Sequence, residues 1–285
     1  MNSVILDYVQ LVKFKLSMTV VFTSILGLLI VSNGSVNWVS VVILFLGGFL
    51  ITGSANAINQ VLEKDYDVLM KRTADRPLAS GRMKVADAVL FAGLTCCVGT
   101  AILATFNPTT AVLGMLSFIL YSFVYTPLKR YSPIAVSIGA IPGALPVLIG
   151  CTAVEGAMSW MAIGLFFIQF LWQFPHFWSI GFLGFDDYKS AGFKFIPTDE
   201  DGVIDRSIGL NGVLYTILTF PILFAMLKMD LFSMTSFFIC LSATLVYLYL
   251  GLQFDKRFDR STALRLMFFS FFYMPLILLT VLIIG

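Results

Sequence analysis

Long apolar runs alternate with short polar breaks along the whole chain. Runs of a length that crosses a bilayer, about 17–25 residues each, fall near 14–32, 38–60, 86–105, 109–127, 133–152, 158–181, 208–228, 231–252 and 264–284. They predict nine transmembrane helices and an all-α, multi-pass helical bundle. The breaks alternate in character. Those near 33–37, 106–108, 153–157 and 228–231 are short and almost uncharged, whereas those near 61–85, 128–132, 182–207 and 253–263 hold the charge. Of 18 Lys and Arg residues, only Lys228 lies on the uncharged side. Basic residues concentrate in cytoplasmic loops, so the N-terminus and the charged loops are expected in the cytoplasm and the C-terminus outside. Lys13 and Lys15 ahead of the first apolar run imitate a signal peptide. No small-residue cleavage site follows, so the run is read as the first span.

Composition sharpens this picture. Charged residues make up 12% of the chain, against about a quarter in soluble domains. A net charge of +2 gives no reason to expect a nucleic acid partner. The cysteines, Cys96, Cys97, Cys151 and Cys240, all sit in apolar runs without metal spacing or a disulfide framework. The acids follow the bases: Glu155 and Asp230 are the exceptions among 16. Acids add little to a topology signal. Mixed charge gathered in the loops 61–87 and 184–206 therefore points to a polar site.

The densest part of that charge is NAINQVLEKDYDVLMKRTADRPLASGR, from Asn56 to Arg82. Asn59, Glu63 and Asp67 recur every four residues and share one helix face. Lys71, Arg72 and Arg76 follow. Hard oxygen donors suit a magnesium ion, and Arg and Lys suit phosphate oxygens. A solvated helix end with ordinary charge pairs is the plainer alternative. The second loop offers Gln173, His176 and Trp178, then Asp186 and Asp187, whose carboxylates could complete a metal site. His176 is the single histidine, one residue after Pro175. It reads as a proton carrier, a haem ligand or a core histidine satisfied by backbone. Between the two loops, Tyr125 and Lys129 stand four apart at a helix end, where both can face one anion or simply anchor the interface. Gly139, Pro142, Gly143 and Pro146 break the fifth span, as in helices that line a cavity. Asp, Glu, Lys and Arg are absent from the middle of every span, which argues against a transporter.

The runs NQVLEKDYD and MKRTADRPLASG resemble the first signature of the UbiA superfamily of intramembrane prenyltransferases. VYTPLKRYSPIAVSIGAIPGALPVLIG, PHFW and DDYKSAGFKFIP resemble its haem-farnesylating branch. The resemblance implies one integral-membrane prenyltransferase domain over 1–285, in a bacterial inner membrane. It implies that Asn59, Glu63, Asp67 and Asp187 hold Mg2+, and that Arg72, Arg76, Lys71, Tyr125 and Lys129 bind the diphosphate of farnesyl diphosphate. Asp186 would assist, and His176 and Trp178 would line the haem or isoprenoid cavity. The implied reaction joins a farnesyl group and water to a vinyl group of haem B, a substrate rather than a cofactor. The implied alternative acceptor is an aromatic, a quinone precursor or a lipid. A haem-oxidising enzyme or an oxidase assembly factor would be the protein partner. Two departures stand out. Glu63 replaces the usual Asp, and Leu183 stands where a second acid would precede Asp187.

Overall fold

The computed structural model describes residues 3–32 and 34–285, with the side chain of Ser3 excepted. In chain order the helices are α1 (Ser3–Leu11), α2 (Phe14–Val31), α3 (Trp38–Asp67), α4 (Val85–Ala104) and α5 (Pro108–Ile119). A π-helical turn, Leu120–Tyr125, carries α5 into the short α6 (Thr126–Leu128). There follow α7 (Ala135–Glu155), α8 (Trp160–Leu183), α9 (Phe185–Ser190), α10 (Ser207–Ile217), α11 (Thr219–Lys228), α12 (Met234–Arg257) and α13 (Arg260–Ile284). The only β pairing among the described residues is an isolated bridge between Thr198 and Ile204. The all-α bundle is therefore as expected.

Among the described residues, eight helical stretches are long and apolar enough to cross a bilayer. The ninth expected span is α8, with 24 residues, or about 36 Å. Its length suffices. Its hydropathy falls because Gln169, Gln173 and His176 are buried along it. The second span runs further than its apolar run predicts. It ends at Asp67, not near residue 60, because nothing between the apolar run and the acidic stripe breaks the helix. At 30 residues it is about 45 Å long, longer than the hydrocarbon layer of roughly 30 Å. Its last turns thus carry the stripe to the charged end of the bundle.

Polar side chains start the helices. Asn37 caps α3 by accepting from the Val39 and Ser40 amides. Asn107, Ser159, Ser233 and Asp259 do the same for α5, α8, α12 and α13. Each satisfies amides that the first turn leaves unpaired.

At the centre, α7 packs closely on α2 because small residues permit it. A Cβ on Gly150 would lie 1.8 Å from the Ser24 carbonyl oxygen, and one on Gly27 would lie 2.4 Å from that of Val147. Ser24 Oγ also donates to the Pro146 carbonyl at 2.7 Å. Pro142 and Pro146 lie inside α7, where each removes a backbone donor, and neighbouring side chains take up carbonyls nearby. Gln169 Nε2 donates to Gly143 O and Gln173 Nε2 to Ala140 O, both at 2.9 Å.

Candidate active site

The site is built around a break between α1 and α2. Lys13 adopts a left-handed backbone, φ 47°, which ends one helix and starts the next. Such a break leaves carbonyls without partners. Two amides on α3 supply them: Gln60 Nε2 donates to Gln10 O and Leu11 O, both at 2.9 Å, and Asn56 Nδ2 donates to Val12 O at 3.4 Å and Ser17 Oγ at 3.1 Å. The same turn aims the Lys13 side chain inward. Its Nζ donates to Asn59 Oδ1 at 2.6 Å. Burial, helped by Arg76 and Lys129 and opposed by Glu63 and Asp67, pushes the Lys13 amine down to about 7.

Asn59, Glu63 and Asp67 do share one buried face of α3. Each is matched to a cation from a different segment. Lys13 serves Asn59. Lys129, just beyond α6, places Nζ 2.5 Å from Glu63 Oε1. Arg76 forks onto Asp67, with Nη1 at 2.8 and 2.7 Å from its two oxygens. Asn59 Nδ2 also donates to Thr126 Oγ1 at 3.0 Å, and that hydroxyl donates to the Tyr121 carbonyl at 2.8 Å. The π-helical turn thereby sets the stripe against Tyr121 and Tyr125. π-Turns inside α-helices often accompany functional sites. The Tyr125 ring lies against Gly139, where a Cβ would sit 2.6 Å away, and Lys129 Nζ lies 4.9 Å from the ring centre.

The two charged loops meet over this face. Arg72 donates to Tyr188 Oη at 3.1 Å, Ser190 Oγ to Leu69 O at 3.3 Å, and the Lys194 amide to Lys129 O at 2.8 Å. Arg130 lies over the Tyr66 ring at 4.0 Å and binds the Leu62 carbonyl. Arg82 ties the first loop to α1 through Asp7 at 2.8 Å and Gln10 at 2.9 Å.

The other expected residues are placed differently. Lys71 and Asp186 are exposed, and Asp187 is half-buried with no ion pair among the described residues. No three acidic, histidine or cysteine side chains among the described residues gather into a metal-holding group, so Asp187 does not close one with Glu63 and Asp67. His176 and Trp178 face different helices. Two helical positions apart, they point some 200° apart. His176 faces α13 through Ser270, while Trp178 packs on Tyr215 of α10. Lys13, Tyr121 and Thr126 belong to the site but were not among the residues singled out for binding. A lone lysine before an apolar run looks like an interface anchor, and nothing in its spacing ties it to Asn59, 46 positions away.

Three hard oxygen donors stand beside three basic side chains, and Asn59, Glu63 and Asp67 fit Mg2+ by their donor chemistry. The chain is 42% identical over 271 residues to "Protoheme IX farnesyltransferase" of Cytophaga hutchinsonii, covering 95% of this chain and 94% of that one. It is 39% identical over 280 residues to the protein of the same name from Christiangramia forsetii, covering 96% and 92%. Among solved structures it is similar in fold to a digeranylgeranylglyceryl phosphate synthase, with a TM-score of 0.83 at 19% identity over 98% of this chain and 97% of that one. It is also similar to a UbiA homolog from Archaeoglobus fulgidus bound to GPP and Mg2+, with a TM-score of 0.67 at 16% identity over 96% and 99%. Residues 20–273 match the UbiA prenyltransferase family. The chain belongs to the UbiA prenyltransferase family.

Proposed function

We propose that this chain transfers a farnesyl group from farnesyl diphosphate to a vinyl group of haem B, with addition of water, to give haem O. The likeness along nearly its whole length to proteins named protoheme IX farnesyltransferase carries the acceptor. The three matched pairs on α3 carry the diphosphate. Lys13, Lys129 and Arg76 bind its oxygens through charge-assisted hydrogen bonds. Arg72 and Lys71 reach it from the first loop. Asn59, Glu63 and Asp67 would hold Mg2+, and bound there it would neutralise charge on the leaving pyrophosphate.

The chain's own groups do the rest. Cations gathered along the stripe stabilise the charge on the departing oxygens as the allylic C–O bond breaks. The buried setting keeps bulk water from the farnesyl cation. The haem vinyl group then attacks it, and water captures the cation formed on haem. The charged end faces the cytoplasm in this reading, in the inner membrane of a bacterium. The apolar bundle receives both the isoprenoid tail and the porphyrin. An enzyme that oxidises haem O further, or an oxidase assembly factor, receives the product.

Mass spectrometry of haem extracted from cells that make only haem B tests this directly. With the protein present, a new haem heavier by a farnesyl group plus water is expected. Unchanged haem B beside membrane-inserted protein would overturn the acceptor, and quinone precursors and lipids would be tried in its place.

A further inference from the structure

Helix α8 carries a buried polar stripe that diphosphate binding does not use. Gln169, Gln173 and His176 are all buried, and their spacing sets them on one face. The two glutamine amides are spent on carbonyls of α7. Gln169 Oε1 has no hydrogen-bond partner among the described residues, so this face holds unspent accepting capacity.

His176 is held more firmly. Its Nδ1 lies 2.6 Å from Ser270 Oγ on α13. A serine hydroxyl has one hydrogen, and that of Ser270 is directed at the Met267 carbonyl at 2.5 Å. With that hydrogen on the Met267 carbonyl, Ser270 Oγ accepts from the imidazole. Nδ1 carries the proton, and Nε2 keeps a lone pair. Trp172 stacks on the ring with centres 4.9 Å apart, Phe271 meets it edge-on at 5.2 Å, and Trp172 Nε1 donates to Ser270 O at 2.9 Å. Nε2 itself makes no hydrogen bond to the described residues.

A short chain of contacts links this part of α8 to the matched pairs. Tyr125, beside the matched pairs, packs on Gly139. The next residue, Ala140, holds Gln173. His176 lies three residues further toward the charged end of α8, about one turn.

We propose that His176 Nε2 accepts the proton of the water that captures the haem cation, and that Ser270 positions it by fixing the ring tautomer. This rests on the haem-farnesylating reading above. Pyrophosphate has already left with the electron pair of the allylic C–O bond. The farnesyl carbon is bonded to the outer vinyl carbon, and the inner vinyl carbon is cationic. A water lone pair forms the new C–O bond there. One O–H bond of that water breaks, and its proton passes to Nε2. The resulting imidazolium keeps its Nδ1–H on Ser270. Without the acceptor, the cation loses a proton from the adjacent CH2 group to pyrophosphate. The product is then an alkenyl haem lighter by one water.

The ratio of alcohol to alkene among farnesylated haems reads this step separately from folding and binding. Cells making only haem B would express the wild-type full chain, His176→Gln, Ser270→Ala or Ser270→Thr, with membrane insertion checked in each. The expected result is alcohol from the wild type and a shift of roughly tenfold or more toward alkene in His176→Gln. Ser270→Ala shifts the same way by less, and Ser270→Thr, which keeps the hydroxyl, matches the wild type. An inserted His176→Gln protein with the wild-type ratio overturns the proposal. Should that variant fail to insert, an unchanged ratio in Ser270→Ala overturns it instead. Absence of any farnesylated haem from the wild type overturns the substrate reading, a separate outcome.

Discussion

Lys13 is a base held where a base is costly. It is half-buried and its amine is pushed down to about 7; its hydrogen-bond acceptor among the described residues is the neutral Asn59 amide. Such a group adds little to folding but is ready for an anion. Lys13→Met keeps the apolar stem and removes the amine. Thermal unfolding in detergent should then occur at the same temperature or higher, while KM for farnesyl diphosphate rises about tenfold or more, the worth of a hydrogen bond to a charged group. An unchanged KM would make Lys13 merely structural. The Arg76–Asp67 pair predicts an asymmetry. Asp67 is 1% exposed at its side chain and Arg76 19%. Arg76→Ala strands a buried carboxylate and should cost about 3–5 kcal/mol. Asp67→Ala frees a guanidinium that can turn toward solvent, and should cost less. Both should abolish product. Equal melting temperatures for the two variants would contradict the burial argument.

At the scale of helices, close approach decides what is tolerated. Gly150→Ala drives a methyl group into the Ser24 backbone, which cannot move without parting α2 from α7. It should cost about 3 kcal/mol or more, read as a lowered melting temperature. Gly93 on α4 has nothing within 4 Å of a Cβ. Gly93→Ala should be neutral or gain up to about 1 kcal/mol from helix propensity. The same scale explains what was legible in the sequence. Asn59, Glu63 and Asp67 could be placed on one face because a single helix fixes their spacing. Lys129 and Arg76 followed from nearby runs of basic charge. Lys13 could not be read because it enters through a helix break, and Tyr121 because its orientation depends on a π-turn. The separation of His176 from Trp178 was readable from helical periodicity, but the shared PHFW run drew them together.

For the whole molecule, the open matter is how many times the chain crosses the membrane. Eight stretches pass on length and hydropathy, and α8 is long enough but carries a polar stripe. That stripe faces protein: the glutamine amides bond to α7 and His176 to α13. A buried polar face does not have to be desolvated into lipid, so its low hydropathy is no bar to crossing. Nine crossings also keep Lys64, Lys129, Lys189 and Arg206 on one side, as the distribution of basic residues demands. Eight crossings without α8 would leave Glu155 and the loop 184–206 on the same side, and would put the two loops that meet at Arg72 and Tyr188 on opposite faces of the bilayer. A reporter active only outside the cytoplasm, fused after Gly285, should therefore be active, and one inserted in the turn at Asp201 and Gly202 should be silent. Activity at the Asp201–Gly202 turn together with silence after Gly285 would mean that α8 does not cross, and the joined polar end described above would have to be abandoned.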